Sequence, residues 1–343
     1  MLGPEVAAFE EEFADAAAAR FAVAVGTGTD ALSIALRAIG IRPGDEVITT
    51  PLSAAYTALA IMMVGARPVF AEIDPERLTL DPRAADAAVT SRTAAILPVH
   101  LYGQAADMFA IRAVAERHGL AVIEDCCQAH LATCERRPVG SFGSAAAYSF
   151  YPTKNLGALG DGGALTTNDA SIAERARRIR NGGQTERYQH VEFGVNSRLD
   201  EMQAAVLRTR LPLLAAWTAR RRLLARRYRD ALDGATIIRV PPEEDSGHVY
   251  HLFPVLSTCR AALQSHLTEC GIETLVHYPV PLFRQPAFAS QDPAVCPVAD
   301  RIAAEVVSLP LYPSLPAEAV SRVAEAIATW QAERPAATPQ TRS

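Results

Sequence analysis

Ser149-Phe150-Tyr151-Pro152-Thr153-Lys154-Asn155-Leu156-Gly157, followed by Gly160-Asp161-Gly162-Gly163, sets one lysine between an apolar run and a glycine-rich turn. An amine desolvated in such a setting gives up its proton more readily and becomes a nucleophile able to form a Schiff base. Taken alone, the same residues also read as a lysine in a surface loop. Two stretches upstream decide between the readings. In Val122-Ile123-Glu124-Asp125-Cys126-Cys127-Gln128-Ala129-His130 a short apolar strand runs into acids, so Asp125 emerges at a strand's carboxyl end, where open α/β sheets place ligands. A carboxylate there can pair with a protonated ring nitrogen, and Gln128 has donors and acceptors for a phenolic oxygen on the same ring. In Phe21-Ala22-Val23-Ala24-Val25-Gly26-Thr27-Gly28-Thr29-Asp30-Ala31-Leu32 an apolar strand enters a Gly/Thr turn and a helix begins, with Leu32, Ala35 and Leu36 on one side. Free N–H groups at that helix start, the Thr29 hydroxyl and the Ser149 hydroxyl make a phosphate cradle.

Phosphate cradle, ring carboxylate and lysine, in this chain order, form one constellation. With them the sequence resembles the DegT/DnrJ/EryC1/StrS family of pyridoxal-phosphate-dependent sugar aminotransferases, from about Gly3 to Tyr312. The matching stretches include Gly28-Thr29-Asp30-Ala31, Pro98-Val99-His100-Leu101-Tyr102-Gly103, Glu124-Asp125 with Gln128-Ala129-His130, and Ser149 through Gly163. Asn196 through Ala205, Tyr250-His251-Leu252 and His277-Tyr278-Pro279 continue the series. The resemblance implies an α/β chain with the aspartate-aminotransferase (type I) fold: a large domain with a mostly parallel sheet over residues 1–215, and a smaller C-terminal α/β domain over 216–334. It implies Lys154 as the Schiff-base lysine and Asp125 as partner of the pyridinium nitrogen of pyridoxal 5'-phosphate, with Gln128 on the ring hydroxyl. Thr29, the backbone at Asp30, and Ser149 would hold the cofactor phosphate, joined by Asn196 from a neighbouring subunit of a homodimer. His277 and Tyr278 would line the substrate pocket.

The reaction implied is transfer of an amino group from an amino acid, glutamate by analogy, to a keto-sugar carried on a nucleotide, with freed Lys154 shuttling the proton. Keto-cyclitol amination with glutamine is the nearest alternative. Three departures stand out. Ala54 sits where relatives carry an aromatic that stacks on the cofactor, with Tyr56 two residues on. The chain opens at Met1-Leu2-Gly3-Pro4, without the extra amino-terminal segment of relatives. Phe283 replaces a frequent histidine beside the pocket.

Two rivals come from other classes. Gly26-x-Gly28-x-x-Ala31 outlines a dinucleotide-binding turn, but Asp45 and Glu46 precede Val47-Ile48 rather than follow it, and a nicotinamide oxidoreductase leaves Lys154 and Asp125 unused. A non-catalytic regulator on the same fold would have no reason to keep every ligand.

Composition agrees with a packed enzyme of two domains: 343 residues, 49% hydrophobic. A net charge of −5 gives no general attraction to nucleic acid or anionic lipid. The amino terminus has no basic segment followed by an apolar core, and no apolar run is long enough to span a bilayer, so a cytoplasmic protein is expected. Cys126, Cys127, Cys134, Cys259, Cys270 and Cys296 then read as reduced thiols. The spacing of Cys126, Cys127, His130 and Cys134 fits no zinc pattern, so no metal is expected.

Strand-like runs at Val47-Ile48, Pro68 to Phe70, Ala95 to Val99, Val122-Ile123 and Ala164 to Thr167 alternate with helical stretches, as in a mostly parallel sheet covered on both faces. Leu199 to Leu232 predicts a long arginine-rich helix kinked near Pro212. Val249 to Leu256 reads as strand and Ala261 to Cys270 as helix. The arginines at 175, 177, 178 and 180, and at 220–222 with 226 and 227, read as solvated helix faces, with one or two free to meet a diphosphate. The tail over 335–343 is expected to be disordered.

Overall fold

In the computed structural model, which describes residues 2–288 and 294–332, the apolar runs of the first half become one seven-stranded sheet. Its strands are β1 (Phe21–Val25), β2 (Glu46–Thr49), β3 (Arg67–Phe70), β4 (Thr93–Leu97), β5 (Ala121–Asp125), β8 (Ala145–Ser149) and β9 (Gly163–Thr167), in the order β1-β9-β8-β5-β4-β2-β3. Two short ribbons stand apart from it, one of β6 (Thr133–Cys134) and β7 (Arg137–Pro138), the other of β10 (Gln184–Glu186) and β11 (Gln189–His190). Pairing is parallel from β8 through β5, β4 and β2 to β3, while β9 runs antiparallel to both β1 and β8. The sheet is therefore mostly parallel, as the alternation of strands and helices implies.

Alternation along β1 sends Ala22 and Ala24 to one face and Val23 and Val25 to the other. The first face is covered by α1 (Pro4–Ala16), α5 (Met108–His118) and α7 (Glu201–Arg210) through Phe9, Phe13, Ile111 and Leu207. The second is covered by α2 (Gly28–Ile39), α3 (Ala55–Met63) and α6 (Ala170–Arg180) through Leu32, Leu36, Ile61 and Ile179. The short α4 (Pro82–Ala87) packs beside α5. Thr27 begins α2 by accepting the Asp30 N–H on its hydroxyl at 3.0 Å, and Gly40 ends it at φ 101°, where a side chain would be strained.

The arginine-rich segment is helical as expected and breaks at proline: α7 gives way to a 3-10 turn at Leu211–Leu213 before α8 (Leu214–Ala231). Leu214 packs in the core beneath the sheet, whereas Leu224 and Tyr228 join a second core with Phe253, Leu263, Val307, Ile327 and Trp330. This second core lies among α8, α9 (Arg260–Glu269), α11 (Ala317–Ala332) and the antiparallel pair β12 (Phe253–Leu256) and β13 (Val306–Leu309). A boundary between two domains near residue 215 remains a proposal, supported by the change of core along α8. The tail at 335–343 lies outside the described residues. Leu52, Val99 and Tyr102 pack with Ile302 and Val306, from α10 (Pro297–Glu305) and β13, which joins the two cores.

Two expectations are corrected. Only Phe253–Leu256 of the 249–256 run is strand. Residues 249–252 are bent, with Tyr250 at φ 47°, because their backbone groups are held from several sides instead of by a ladder. The arginines are not uniformly solvated. Arg180 is buried against Glu10 and the Ala24 carbonyl, and buried Arg221 donates to the carbonyls of Tyr250, His251 and Leu311 at 3.0–3.2 Å. Burial lowers the Arg221 pKa to about 10. Arg175 and Arg178 pair with Glu192, while Arg226 and Arg227 are exposed. No helix among the described residues is long and apolar enough to cross a membrane.

Candidate active site

A cavity of about 610 Å³ opens at the carboxyl ends of the parallel strands, a size suited to a cofactor with part of a substrate. The structure brings Thr29, Asp125, Gln128, Ser149, Lys154, His277 and Tyr278 into its wall, out of segments spread along the chain from residue 29 to residue 278. Asp30 and Asn196 are not in that wall. The Asp30 N–H is taken by Thr27, and its carboxylate accepts from the Ser197 hydroxyl at 2.7 Å. At the start of α2, the amides left without a partner among the described residues are those of Gly28 and Thr29. Asn196 is exposed, bridging to Asn181.

Asp125 ends β5 and is buried. Each of its oxygens accepts one hydrogen bond: Oδ2 from the Thr57 hydroxyl at 2.8 Å and Oδ1 from the Cys127 N–H at 3.1 Å. Thr57 is itself 3.2 Å from the Ser53 hydroxyl. Gln128 is fixed at both ends, its oxygen accepting from the Tyr102 N–H at 2.8 Å and its nitrogen donating to the Tyr278 hydroxyl at 3.1 Å. That nitrogen has a second hydrogen to offer. Burial pushes the Tyr278 hydroxyl up to about 12, so it stays protonated. His277, its Nδ1 2.9 Å from the Ser308 hydroxyl, is held toward neutrality by burial and by the charge of Lys154.

Lys154 is the only lysine in the chain; the other 32 cationic side chains among the 33 are arginine. Its backbone N–H closes a turn onto the Tyr151 carbonyl at 2.8 Å, and Asn155 beside it is buried. Ala54 and Tyr56 both line the cavity; Ala54 precedes α3 and Tyr56 is 63% exposed. Phe283 lies outside the wall, packed among apolar side chains and under Arg284.

The residues present fit pyridoxal phosphate. A Cβ built on Gly28 would stand 2.7 Å from the Ser149 Cβ and 3.0 Å from the Cys127 Sγ, so only glycine lets the amides of the α2 start come this close to the hydroxyl of Ser149. Two free amides, two hydroxyls, a buried carboxylate and one amine supply donors for a phosphate, a partner for a ring nitrogen and a nucleophile for an aldehyde.

Thr57, Cys127, His251 and Tyr151 also line the cavity; the last three lie in stretches the sequence singles out, but no local sequence pattern marks Thr57. The uniqueness of Lys154 is visible by counting. One further buried group, His100 with Glu124 and Cys126, has metal-ligand character among the described residues. Its ligand atoms are already in use. Glu124 accepts from the amides of Gly140, Phe142 and Gly143 at 2.7–2.8 Å, and His100 Nδ1 accepts from the Ala106 N–H. It is a hydrogen-bond network that pins the 140–143 loop to β5.

The profile of the DegT/DnrJ/EryC1/StrS aminotransferase family matches residues 1–328. The dTDP-3-amino-3,4,6-trideoxy-alpha-D-glucose transaminase of Streptomyces venezuelae is 48% identical over 97% of this chain and 89% of its own length. A protein of Geobacillus stearothermophilus named as a pleiotropic regulatory protein is 47% identical over 96% of this chain and 90% of its own. Further relatives at 41–45% identity are named as transaminases of UDP- or dTDP-linked sugars. Among solved structures, S. venezuelae DesV in complex with a ketimine intermediate superposes with a TM-score of 0.94 at 48% identity, covering 98% of this chain and 91% of that one.

Proposed function

This chain belongs to the DegT/DnrJ/EryC1/StrS aminotransferase family, and from that premise we propose that it transfers an amino group to the ring C3 ketone of a nucleotide-linked hexose. The C3 assignment is supported by the names of its relatives, which place the amino or keto group at that carbon across dTDP- and UDP-linked sugars. The observation that carries the catalytic part is the convergence of the sole lysine, the buried Asp125 and the open start of α2 on one cavity.

In this reading the amides of Gly28 and Thr29, with the hydroxyls of Thr29 and Ser149, bind the phosphate of pyridoxal 5'-phosphate. When bound, that cofactor supplies an electron sink that stabilises negative charge at the substrate carbon. Asp125, aimed by Thr57 and Cys127, holds a proton on the ring nitrogen. Gln128 offers its remaining N–H to the ring hydroxyl. Lys154 would take the proton from the substrate carbon and return it to the carbon two atoms away, across the nitrogen, which is general base then general acid work by a single amine. His277 and Tyr278 face the sugar. An amino acid, glutamate by analogy, supplies the nitrogen.

The working unit in this reading is a two-fold dimer in which Asn196 reaches the partner's cofactor phosphate. Asn196 is exposed and stands off its own cavity, and Tyr188, Phe193 and Met202 each expose more than three quarters of their surface nearby in sequence. Isologous pairing would cover such groups twice over. Light scattering at assay concentration checks it, and a fully active monomer would remove Asn196 from the site.

The test of function is the second half-reaction. Enzyme carrying the aminated cofactor is offered dTDP- and UDP-linked 3-keto hexoses, their 4-keto isomers, keto-cyclitols, pyruvate and oxaloacetate. Fast amination of a 3-keto sugar is expected. Efficient turnover of the keto acids alone would make this an ordinary amino-acid transaminase, and inertness throughout would favour a regulatory role like that in the name of the Geobacillus relative.

A further inference from the structure

Asn155, next to the sole lysine, reaches across to the second core. Its Nδ2 donates to the Val249 carbonyl at 3.3 Å and its Oδ1 lies 3.1 Å from His251 Nδ1. All three residues are buried, with Asn155 at 4% and His251 at 8% exposure. A carbonyl only accepts, so the Val249 contact fixes which end of the amide is nitrogen. Oδ1 then faces the imidazole, and the hydrogen of that ring must sit on Nδ1. In a neutral ring the other nitrogen, Nε2, is left with a lone pair.

Burial comes first in holding His251 well below the ordinary histidine range, followed by the nearby charges of Lys154 and Arg221 and by His130 and His277. His251 lines the cavity, and its Nε2 has no partner among the described residues yet is not one of the sealed, unpartnered nitrogens. Its open side is the cavity. The backbone that carries it is rigid: Arg221 holds its carbonyl, Leu252 N–H donates to Tyr102 at 3.3 Å, and Val249 N–H donates to Gly103 at 2.9 Å.

We propose that His251 is a positioning residue for Lys154: Asn155 fixes its imidazole with the hydrogen on Nδ1, and the Nε2 lone pair accepts a hydrogen bond from the Lys154 amine. A primary amine that gives one N–H to a fixed acceptor has its own lone pair directed elsewhere, here toward the substrate carbon. The two other histidines that feel Lys154 are not set up for this. Both nitrogens of His130 are sealed off without partners, and His277 faces a serine hydroxyl that can donate or accept, leaving its tautomer open. Because Asn155 follows Lys154 directly, the same contact ties the lysine loop to the segment that carries His251.

The inference rests on Lys154 being the proton carrier, and the experiment separates the two. Borohydride reduction of the loaded wild-type enzyme should attach cofactor to Lys154; failure there sinks the reading of the site as a whole. Nitrogen-15 NMR of histidine rings in the cofactor-free wild-type protein should find His251 neutral, protonated on Nδ1 and bare on Nε2. In Asn155→Ala the ring should become a mixture of tautomers. A proton on Nε2 in the wild type overturns the proposal, and this measurement does not depend on any variant folding.

In holoenzyme, the first half-reaction with L-glutamate deuterated at Cα should slow by about 10- to 100-fold in His251→Phe, the scale of a misplaced reacting group. The apparent KM should stay within about threefold and the isotope effect should rise, because proton transfer alone is impaired. His251→Gln, which can still present an acceptor, should recover part of the rate. Wild-type rate and isotope effect in His251→Phe, with Lys154 still trapped by borohydride, would refute the role of His251 while leaving that of Lys154 intact.

Discussion

Replacing Asp125 by asparagine removes the charge that the proposed function sets opposite the cofactor ring, while the surrounding hydrogen bonds predict an undisturbed fold. The introduced amide can keep its oxygen on the Cys127 N–H and turn its NH2 toward Thr57. The Thr57 hydroxyl then reverses, accepting from the amide and donating to Ser53, which stands 3.2 Å away. No buried group loses its partner, so stability should change by less than about 1 kcal/mol, the difference between a charged and a neutral acceptor. Catalysis should respond very differently. Breaking one side of a buried charge pair costs about 3–5 kcal/mol, and if that is felt in the transition state, turnover falls by about 10²- to 10⁴-fold. Equilibrium dialysis, thermal melting and single-turnover absorbance on Asp125→Asn measure the three quantities separately. A stable variant that holds stoichiometric cofactor and turns over within about tenfold of wild type would refute the assignment. Adding Thr57→Val to Asp125→Asn provides an internal control: it strands the new NH2 and should destabilise by about 1–3 kcal/mol.

Four further outcomes are expected. Gly28→Ala forces its Cβ against Ser149 and Cys127, so it should cost about 1–3 kcal/mol in urea melts and weaken cofactor retention on dialysis. Lys154→Ala should abolish turnover and leave no borohydride-trappable cofactor on any side chain, as read by intact mass. Arg221→Met leaves three carbonyls without their donor and should destabilise by about 3 kcal/mol, whereas Arg226→Ala on the exposed face should change stability by less than about 0.5 kcal/mol. His130 is packed between Tyr148 and Phe150 with both ring nitrogens unpartnered, and burial lowers its pKa to about 3. Since the unfolded chain binds that proton near 6.5, stability is present above this pH and is lost as pH falls toward 3. His130→Phe should flatten the dependence of the urea midpoint on pH between about 6 and 4, and an unchanged slope would count against a buried neutral ring.

The strands, and the stretches whose residues meet at the cavity, were legible because they are local. An apolar run such as Val122-Ile123 ending in Asp125 carries its own period and its own terminus, and the sheet uses it as read. What the chain hides is pairing at a distance. Nothing near Thr57 announces that its hydroxyl meets a carboxylate 68 residues away, and nothing near Arg221 announces three carbonyl partners from two other segments. The 249–252 stretch has the composition of a strand, yet its partners are an asparagine, an arginine and the carbonyls of Tyr102 and Gly103 rather than a neighbouring strand, so it bends. At short range the turn hides a similar pairing: the Asp30 N–H, placed at the helix start, is accepted by the neighbouring Thr27 hydroxyl.

Holding a single lysine has a consequence for handling the protein as a reagent. A protease specific for lysine can cut this chain at one peptide bond, between Lys154 and Asn155. Because Asn155 is buried and the lysine side chain lines the cavity, that bond should be cut only when the site opens or the chain unfolds. Covalent blocking of the amine should abolish cleavage altogether. A gel with two fragments or none would then report, without any substrate in hand, whether the Lys154 amine is free. Amine-directed dyes and cross-linkers would mark the cavity that Lys154 lines and the α-amino group.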